Sequence, residues 1–313
     1  MNIVCVEPIG INQSQFEKLK SKFASLGHNF TYYLDRKEDP STLVSRLSSA
    51  HMAVISNIPL PQEVLCQCPN LKYLSVAFTG LDHIDLSYCK LHGIEVQNAA
   101  GYSTVAVSEL AIGLMLDVLR RITPLHNSTL QGGSRGSFLG RELFGKTVGV
   151  VGTGAIGTAT IRLLITFGCH VMAYNRSEHQ KVKDMGVSYT DLDTLMRNCD
   201  IVTLHVPLTP DTYHLISSER IALMKPSAIL INTARGNVVD IDALALALQQ
   251  GRIAGAGIDV YEQEPPLPNQ HPLTTAPNCI CLPHIGYATR EAFDIRADIV
   301  FNHIFDKLKE FSA

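Results

Sequence analysis

The chain has 313 residues, of which 46% are hydrophobic and 18% are charged. Its 26 Lys and Arg residues against 29 Asp and Glu residues give a formal net charge of −3. These values are typical of a globular protein long enough for two domains, and they exclude a largely disordered chain. A slightly acidic chain has no bulk charge for attracting nucleic acid or an anionic membrane surface, so we expect a small-molecule ligand.

The first hundred residues alternate short apolar runs with amphipathic stretches, which is the pattern of strand–helix–strand units around a parallel sheet. The predicted strands cover residues 2–6, 30–34, 52–56, 72–77 and 93–97, and the predicted helices cover residues 13–26, 41–49 and 61–68. This half has no glycine-rich nucleotide motif. We therefore predict a flavodoxin-like sheet without a nucleotide site of its own.

A long helix is predicted over residues 103–121, followed by a Gly/Ser-rich polar loop over residues 127–140. The strand–helix pattern then restarts, with strands at 147–151, 170–174, 201–204, 228–232, 255–259 and 279–282 and helices at 156–167, 191–197 and 241–249. An amphipathic helix at 290–311 ends the chain and could pack on the first half. The predicted fold class is α/β, with two Rossmann-like or flavodoxin-like doubly wound parallel sheets.

The eight cysteines are scattered, and the closest pairs, Cys66/Cys68 and Cys279/Cys281, have one intervening residue where zinc sites usually have two to four. We predict no metal site. The amino terminus has no basic segment before its first apolar run, so it is predicted to be a strand and not a secretory signal. Together with free thiols, this favours the cytoplasm.

The strongest local motif is the glycine-rich segment after the predicted strand 147–151, which opens a helix. Gly152 would allow a tight turn, Gly154 would let the backbone approach a pyrophosphate, and Gly157 would let the helix pack on the strand. Free N–H groups at the helix start would face the anion. The motif predicts a bound dinucleotide.

The next strand is predicted to end at the position where an NAD-preferring enzyme places an acidic residue on the adenosine ribose. Here the residues are Asn175, Arg176 and Ser177. Asn removes the charge that would repel a 2′-phosphate, and Arg supplies several donors for it. We predict that NADP(H) is preferred, with NAD(H) held by other contacts as the open alternative.

Four further polar residues come just after predicted strands, at the sheet edge where open α/β folds bind ligands: Arg235, Asp259, Glu264 and His284. Each one alone is weak evidence, since such residues are common at surfaces and turns. Together, a basic anchor, carboxylates and an imidazole converge on the edge that carries the glycine turn. This convergence predicts a catalytic site.

The segments VGTGAIG, HVPLTPDTYHLI, NTARG, GIDVYEQEP and PHIG occur in this order along the chain. In their order and spacing the sequence resembles the D-isomer-specific 2-hydroxyacid dehydrogenases over nearly its whole length. The resemblance implies a dinucleotide-binding domain at about 100–284 and a substrate domain made of 1–99 and 285–313, with the cleft between them. It also implies a homodimer built on the cofactor domains.

Carried over by position, the resemblance makes Arg235 the anchor for the substrate carboxylate and Glu264 and His284 the catalytic pair. Thr79, Gly80 and Leu81 correspond to a loop whose amides meet the substrate carboxylate. The remaining implied cofactor contacts are Thr104, Ala155, Ile156, Val206, Pro207, Thr212, Thr233, Ala234 and Asp259.

Three departures from the family pattern qualify this assignment. Asn175 replaces the usual acidic residue and puts NAD in doubt, while the end of the chain at Ala313 leaves out the regulatory domain of some phosphoglycerate enzymes. Glu264 is not the Gln of formate dehydrogenases, which argues against that reaction.

The predicted activity is reduction of a small 2-oxo acid to the D-2-hydroxy acid, and the reverse, with His284 as proton donor and acceptor. The alternatives are an NAD(H)-responsive corepressor-like binding protein and a dehydrogenase of another small anion, such as phosphite. The residues identify neither the 2-oxo acid nor the physiological direction.

Overall fold

Most strands of this protein are short, apolar and buried on both faces, which is the environment of a parallel sheet covered by helices. All four residues are buried in each of the strands Met52–Ile55, Ile201–Leu204 and Ile229–Asn232. The computed structural model describes residues 1–312 and divides into two compact units. The first unit contains Met1–Ser103 and the segment that begins at Ala288, and the second contains Thr104–Tyr287.

The first unit holds a five-stranded parallel sheet in the order β2-β1-β3-β4-β5. This is the flavodoxin-like order, with its switch point between β1 and β3. The elements are β1 (Asn2–Cys5), α1 (Gln13–Ser25), β2 (Asn29–Tyr32), α2 (Pro40–Leu47), β3 (Met52–Ile55), α3 (Gln62–Leu65), β4 (Tyr73–Val76), α4 (Leu86–Leu91), β5 (Glu95–Asn98) and the last helix of the chain, α12 (Arg290–Ser312).

The second unit begins with two helices, α5 (Thr104–Arg120) and α6 (Ile122–Leu130), and then forms a seven-stranded parallel sheet in the order β12-β11-β10-β9-β6-β7-β8. Its strands are β6 (Thr147–Val151), β7 (His170–Tyr174), β8 (Ser188–Tyr189), β9 (Ile201–Leu204), β10 (Ile229–Asn232), β11 (Gly255–Ile258) and β12 (Cys279–Cys281). Its other helices are α7 (Ala155–Thr166), α8 (Gln180–Lys183), α9 (Leu192–Asn198), α10 (Ser218–Leu223) and α11 (Ile241–Gln249), with a 3₁₀ turn at Gly236–Val238. The order reverses direction between β6 and β9, as in a Rossmann fold.

Alternation along the strands builds a separate apolar core on each face of the larger sheet. Ile229 and Ile231 of β10 belong to the core that includes residues of α5 and α7. Leu230, between them, belongs to the core that includes residues of α9, α10 and α11. The predicted α/β class with two doubly wound parallel sheets is confirmed.

One predicted loop is partly wrong. Helix α6 extends from Ile122 to Leu130 and so covers the start of the segment 127–140, which was predicted to be loop. Arg121, with a φ of +52°, separates α6 from α5, and the Asp117 carboxylate accepts a hydrogen bond of 2.8 Å from the Thr123 N–H. No residue of α6 is buried, so the helix has no buried apolar stripe for periodicity to detect.

The short helices α4, α8 and α10 and the strand β8 were not predicted. Local capping supports two of these helices: the Asp85 side chain accepts from the Tyr88 N–H at the start of α4, and the Ser217 side chain accepts from the Arg220 N–H at the start of α10. Both caps are visible in the sequence. Helices of six residues are too short to show a clear apolar period.

Candidate active site

The glycine turn after β6 has the shape that its three glycines were predicted to give. Gly152 has a φ of +96°, and a Cβ on Gly157 would lie 1.9 Å from the Gly152 carbonyl oxygen, so the helix can start here only with glycine at position 157. A Cβ on Gly154 would meet nothing within 4 Å among the described residues. Gly154 is the N-cap of α7 and therefore presents the first turn of the helix, including Ala155 and Ile156, to open space.

The loop after β9 lies against this turn. A Cβ on Gly152 would be 2.5 Å from the His205 carbonyl oxygen and 2.8 Å from Cγ1 of Val206. The hydroxyl of Thr212 donates to the Pro207 carbonyl at 2.6 Å and accepts from the Thr209 N–H at 2.8 Å, which closes the loop on itself. Val206, Pro207 and Thr212 are thus held in one loop beside the glycine turn.

His205 is a residue that the sequence reasoning missed, although it opens the HVPL segment. Its Nε2 lies 3.0 Å from the Thr203 hydroxyl, and its Nδ1 is buried with no hydrogen-bond partner among the described residues. Desolvation by burial lowers the pKa of His205 to about 4, so the ring is neutral at neutral pH. It supplies a polar but uncharged wall behind the glycine turn.

Asn175 ties the end of β7 to the glycine turn. Its Oδ1 accepts from the Thr153 N–H at 3.3 Å, and its Nδ2 donates to the Ser177 carbonyl at 2.7 Å and lies 3.3 Å from Nε2 of His179. Arg176 and Ser177 are exposed. Asn175 therefore does more than remove a negative charge, because its side chain also fixes the loop after β7.

A cavity of about 330 Å³ lies beside the glycine turn, and its wall is partly basic. Three of its lining residues, Arg162, His179 and Lys181, were not predicted as site residues. Arg162 lies seven positions after Ala155, on the same face of α7, so helical spacing from the motif could have found it. The full lining is Thr104, Thr153, Gly154, Ala155, Thr158, Ala159, Arg162, His179, Lys181 and Val182.

The turn after β10 carries Arg235 and is shaped by buried polar side chains. The fully buried Asn232 donates to the Arg235 carbonyl at 2.9 Å and accepts from the Ala234 N–H at 3.0 Å. The Arg235 guanidinium donates to the Ala234 carbonyl at 2.7 Å. A Cβ on Gly236 would lie 1.9 Å from the Tyr261 carbonyl carbon, so this turn packs directly on the backbone that leads to Glu264.

His284 and Glu264, which the family resemblance makes a catalytic pair, are in direct contact. Nδ1 of His284 lies 2.8 and 2.9 Å from the two carboxylate oxygens of Glu264, and the Tyr287 ring stands edge-on to the imidazole at 5.3 Å. The His284 side chain is 11% exposed, whereas the Glu264 side chain is 64% exposed. The carboxylate fixes Nδ1 as the donor, which leaves the acid–base chemistry of the ring to Nε2.

Asp259 supports the backbone that carries His284. Its carboxylate is 1% exposed and accepts from the N–H groups of Ile285 and Gly286, both at 2.8 Å. Burial raises the pKa of Asp259, and these two hydrogen bonds partly oppose the shift. His284 itself has a φ of +56°, a conformation uncommon outside glycine. The contacts to Asp259 hold the next two residues and so stabilise this turn.

In the first unit, Thr79, Gly80 and Leu81 follow β4 and are exposed or partly exposed. The Asn98 side chain donates to the Thr79 carbonyl at 2.6 Å, which attaches this loop to the end of β5. The loop therefore lies at the carboxyl edge of the smaller sheet.

A nicotinamide dinucleotide fits what the described residues of the second unit offer. Gly154 faces open space, and the Thr233 hydroxyl is buried with no hydrogen-bond partner among the described residues. Arg235, Glu264 and His284 follow β10, β11 and β12, and the glycine turn follows β6, so all lie at the carboxyl edge of one parallel sheet. In residues 1–312, no three His, Cys, Asp or Glu side chains are grouped to hold a metal, and no helix is long and apolar enough to cross a membrane.

Comparison with known proteins gives consistent results. Residues 112–286 match the family model described as D-isomer specific 2-hydroxyacid dehydrogenase, NAD binding domain. The chain is 44% identical to the glyoxylate reductase of Thermofilum pendens over 254 residues, which are 79% of this chain and 75% of that protein.

Two solved structures match almost end to end. The D-lactate dehydrogenase of Aquifex aeolicus, complexed with NAD and lactic acid, has 31% identity and a TM-score of 0.85 over 99% of this chain and 96% of that one. An acyclic imino acid reductase (Bsp5) in complex with NADPH and D-Arg has 28% identity and a TM-score of 0.89 over 99% of this chain and 98% of that one. The chain belongs to the D-isomer-specific 2-hydroxyacid dehydrogenase family.

Proposed function

We propose that the protein is an NAD(P)H-dependent reductase that converts a small 2-oxo acid to the D-2-hydroxy acid and also catalyses the reverse reaction. The observation that carries this proposal is the His284–Glu264 contact at the sheet edge that also carries the glycine turn and Arg235. The 44% identity to a glyoxylate reductase supports it. The same comparison favours it over a binding protein or a phosphite-type dehydrogenase.

A nicotinamide held at this site would supply the hydride for C2 of the oxo acid, and the protein residues supply position and the proton. His284, held through Nδ1 by Glu264, gives a proton from Nε2 to the carbonyl oxygen. In the reverse reaction the same nitrogen takes the hydroxyl proton. Glu264 fixes the orientation of the ring through its contact with Nδ1.

Arg235 binds the substrate carboxylate, because a guanidinium offers two parallel N–H groups to a carboxylate. The buried Asn232 holds the turn that carries Arg235, and Asp259 holds the turn that carries His284. Asn232 and Asp259 are therefore positioning residues. Asp259 acts on His284 through the backbone N–H groups of Ile285 and Gly286. The carboxylate contact of Thr79, Gly80 and Leu81 remains a prediction.

For the cofactor, the first-turn amides of Ala155 and Ile156 are the proposed pyrophosphate donors. Thr233 offers its buried hydroxyl, which has no partner among the described residues, to the nicotinamide side. The remaining proposed contacts are Thr104, Val206, Pro207, Thr212 and Ala234.

NADP(H) is the proposed preference over NAD(H). Arg176 and Ser177 are exposed beside Asn175, and Lys181, His179 and Arg162 line the adjoining cavity, so this side of the glycine turn is rich in donors for a 2′-phosphate. No acidic side chain replaces the missing ribose carboxylate at position 175.

The proposal is tested by measuring kcat/KM for glyoxylate, hydroxypyruvate, pyruvate and bulkier 2-oxo acids, each with NADPH and with NADH. We expect reduction of at least one small 2-oxo acid, with chiral analysis giving the D product. Absence of turnover across the panel with both cofactors would contradict the activity.

The cofactor preference has its own test. The unmodified protein should have a higher kcat/KM with NADPH than with NADH. Arg176→Ala should lower the ratio of these two kcat/KM values. Arg197 is an exposed residue of α9, and Arg197→Ala should leave the ratio unchanged. A strong NADH preference of the unmodified protein would contradict the proposal that Asn175 and Arg176 favour NADP(H), and it would leave the proposed 2-oxo acid reductase activity unaffected.

We also propose a homodimer formed through the second unit, in the cytoplasm. This unit exposes several large apolar side chains from the last residue of α6 to the start of β6, including Leu130 at 74%, Leu139 at 81% and Phe144 at 72%. Side chains of this kind are enriched where subunits meet. Light scattering should give twice the chain mass, and Phe144→Asp should shift the mass toward the monomer.

A further inference from the structure

Strand β12 carries two thiols that the proposed reaction does not use. Cys279 and Cys281 are two residues apart on one strand and therefore point to the same face of the sheet. Their Sγ atoms lie 3.7 Å apart, and both residues are partly exposed. β12 is an edge strand, paired in the described sheet with β11 alone, so the thiols lie at a border of the fold.

The two thiols have opposite acidities. The contact with Cys279 lowers the pKa of Cys281, against the opposing effect of burial, and a hydrogen bond with Tyr261 acts in the same direction. The same contact raises the pKa of Cys279 well above its ordinary value. Cys281 is thus the thiol of the pair that ionises more readily, and it lies beside a less acidic Cys279, which is the arrangement of a nucleophile and a resolving thiol.

Most other cysteines of the chain lack this reactivity. Burial raises the pKa of Cys68 and Cys89 to about 11 and that of Cys199 to about 12, so these groups stay protonated near neutrality. Cys66 is exposed, and its thiol donates to the Glu63 carbonyl at 3.4 Å. Cys66 therefore provides a matched control for accessibility alone.

We propose that Cys279 and Cys281 form a redox modification site that reacts with hydroperoxides to give a disulfide, and that the disulfide lowers turnover. The Cys281 thiolate attacks the terminal oxygen of the hydroperoxide, the O–O bond breaks, and with one proton the products are a Cys281 sulfenic acid and water or an alcohol. The Cys279 sulfur then attacks the Cys281 sulfur, the S–O bond breaks, and the hydroxyl leaves as water with the Cys279 proton. Two thiols are oxidised by two electrons in total, and one hydroperoxide is reduced.

A Cys279–Cys281 disulfide would affect the turn that carries His284 by changing the length of β12. A rise of about 3.3 Å per residue places Cα atoms two residues apart at about 6.6 Å, near the upper limit for a disulfide, so bridging shortens β12. Cys281 pairs with Ile258 on β11 and is three residues before His284. Asp259, directly after Ile258, holds Ile285 and Gly286 in place, so shortening β12 displaces His284 from its contact with Glu264.

The test uses the unmodified protein, treated with stepwise amounts of hydrogen peroxide and then alkylated with iodoacetamide. Peptide mass spectrometry of the segment that contains residues 279–281 should show loss of two hydrogen atoms and no alkylation, and dithiothreitol should reverse both. In Cys279→Ser, dimedone should trap a sulfenic acid on Cys281, whereas in Cys281→Ser it should trap none on Cys279. This mapping needs no substrate, so it decides the modification even if the proposed reductase activity is not found.

The functional arm compares kcat for the best 2-oxo acid before and after peroxide. We expect a fall of roughly 10- to 100-fold, reversed by dithiothreitol. The double variant Cys279→Ser/Cys281→Ser should keep its rate after peroxide, and Cys66→Ser should lose activity as the unmodified protein does. Alkylation of both thiols after peroxide would overturn the site, and inactivation of the double variant would overturn its effect on turnover.

Discussion

In the first unit the protein's own charged side chains fill the carboxyl edge of the sheet, whereas in the second unit the corresponding edge faces open space at Gly154. Glu7 follows β1 and is 1% exposed. It accepts from the N–H groups of Ser56 at 2.7 Å and Ile58 at 3.2 Å, both just after β3, and from Arg36 at 2.6 Å. It thus occupies the β1/β3 switch point, where such a sheet would otherwise bind a ligand.

A second buried charge completes this edge. Arg296 of α12 is 3% exposed and donates to the carbonyls of Ile9 at 2.8 Å and Ala77 at 3.3 Å, which follow β1 and β4. Its guanidinium lies 4.2 Å from the centroid of the Phe293 ring. The guanidinium of Arg296, from α12, therefore occupies the carboxyl edge of the smaller sheet.

The second unit also has a doubly wound parallel sheet, but no charged side chain of the described residues fills the switch point after its first strand, β6. Glycines replace the carboxylate after β6, and the backbone there approaches the β9 loop so closely that side chains would clash. A doubly wound sheet therefore offers an edge for a ligand but does not by itself make a binding site. The residues directly after the first strand decide whether protein or ligand satisfies that edge.

The largest effect should come from the catalytic turn of the second unit. His284→Ala removes the proton donor and should lower kcat for 2-oxo acid reduction by roughly 10² to 10⁴. Steady-state kinetics measures it. His92→Ala, an exposed histidine of the first unit, is the control and should leave kcat unchanged. A His284→Ala protein with most of its rate would remove this residue from the proton transfer.

The next effect concerns how the second unit binds an anion. Arg235→Lys keeps the charge but loses the two-pronged geometry, so KM for the oxo acid should rise by about tenfold or more. Initial-rate kinetics at saturating cofactor measures it, with the exposed Arg252→Lys as the matched control. If KM and kcat both stay at their original values, Arg235 does not bind the substrate carboxylate.

Substitutions at the filled sheet edge of the first unit should lower the free energy of unfolding and leave catalysis unchanged. Glu7→Ala leaves two buried N–H groups without their carboxylate and should lower the free energy of unfolding by about 1 to 3 kcal/mol. Glu38 also contacts Arg36, at 2.8 Å, but is 56% exposed, so Glu38→Ala should cost far less. Urea unfolding measures both, and equal losses would show that Glu7 contributes only its contact with Arg36.

The smallest effect should appear at the amino edge of the larger sheet. Burial raises the pKa of Asp200, but hydrogen bonds from Lys225 at 2.9 Å and the Thr147 N–H at 3.0 Å outweigh it and hold the pKa below its ordinary value. A lowered carboxyl pKa adds stability above the ordinary value near 3.8 and loses it as the pH falls through the folded-state pKa. Lys225→Met should therefore cost no more than about 1 kcal/mol at pH 7, because the pair is partly exposed.

The measurement for this pair is urea unfolding of both proteins from pH 7 down to the acid transition. The difference between them should shrink as Asp200 becomes protonated. A difference that stays constant with pH would assign the effect to packing of the Lys225 stem and not to the ion pair.

Much of the fold could be predicted because its signals are local. β6, β7, β9 and α11 have the predicted bounds, since apolar runs and amphipathic periods are written along the chain. Helix α6 was partly missed because it buries nothing, and α4 and α10 because they span only six residues each. Lys181 was missed because its place beside the glycine turn depends on how α7 and the segment after β7 meet, whereas helical spacing from Ala155 was enough to find Arg162.

Local sequence patterns are enough to predict the fold class, the glycine turn and the residues that follow the strands of the second unit, because strand periodicity and glycine spacing are properties of neighbouring residues. The folded chain is needed to show that Nδ1 of His284 contacts Glu264, that Asp259 accepts from the N–H groups of Ile285 and Gly286, and that Glu7 and Arg296 fill the carboxyl edge of the smaller sheet. These contacts join residues as far apart as 287 positions, and no local pattern encodes which distant partner will satisfy a buried polar group.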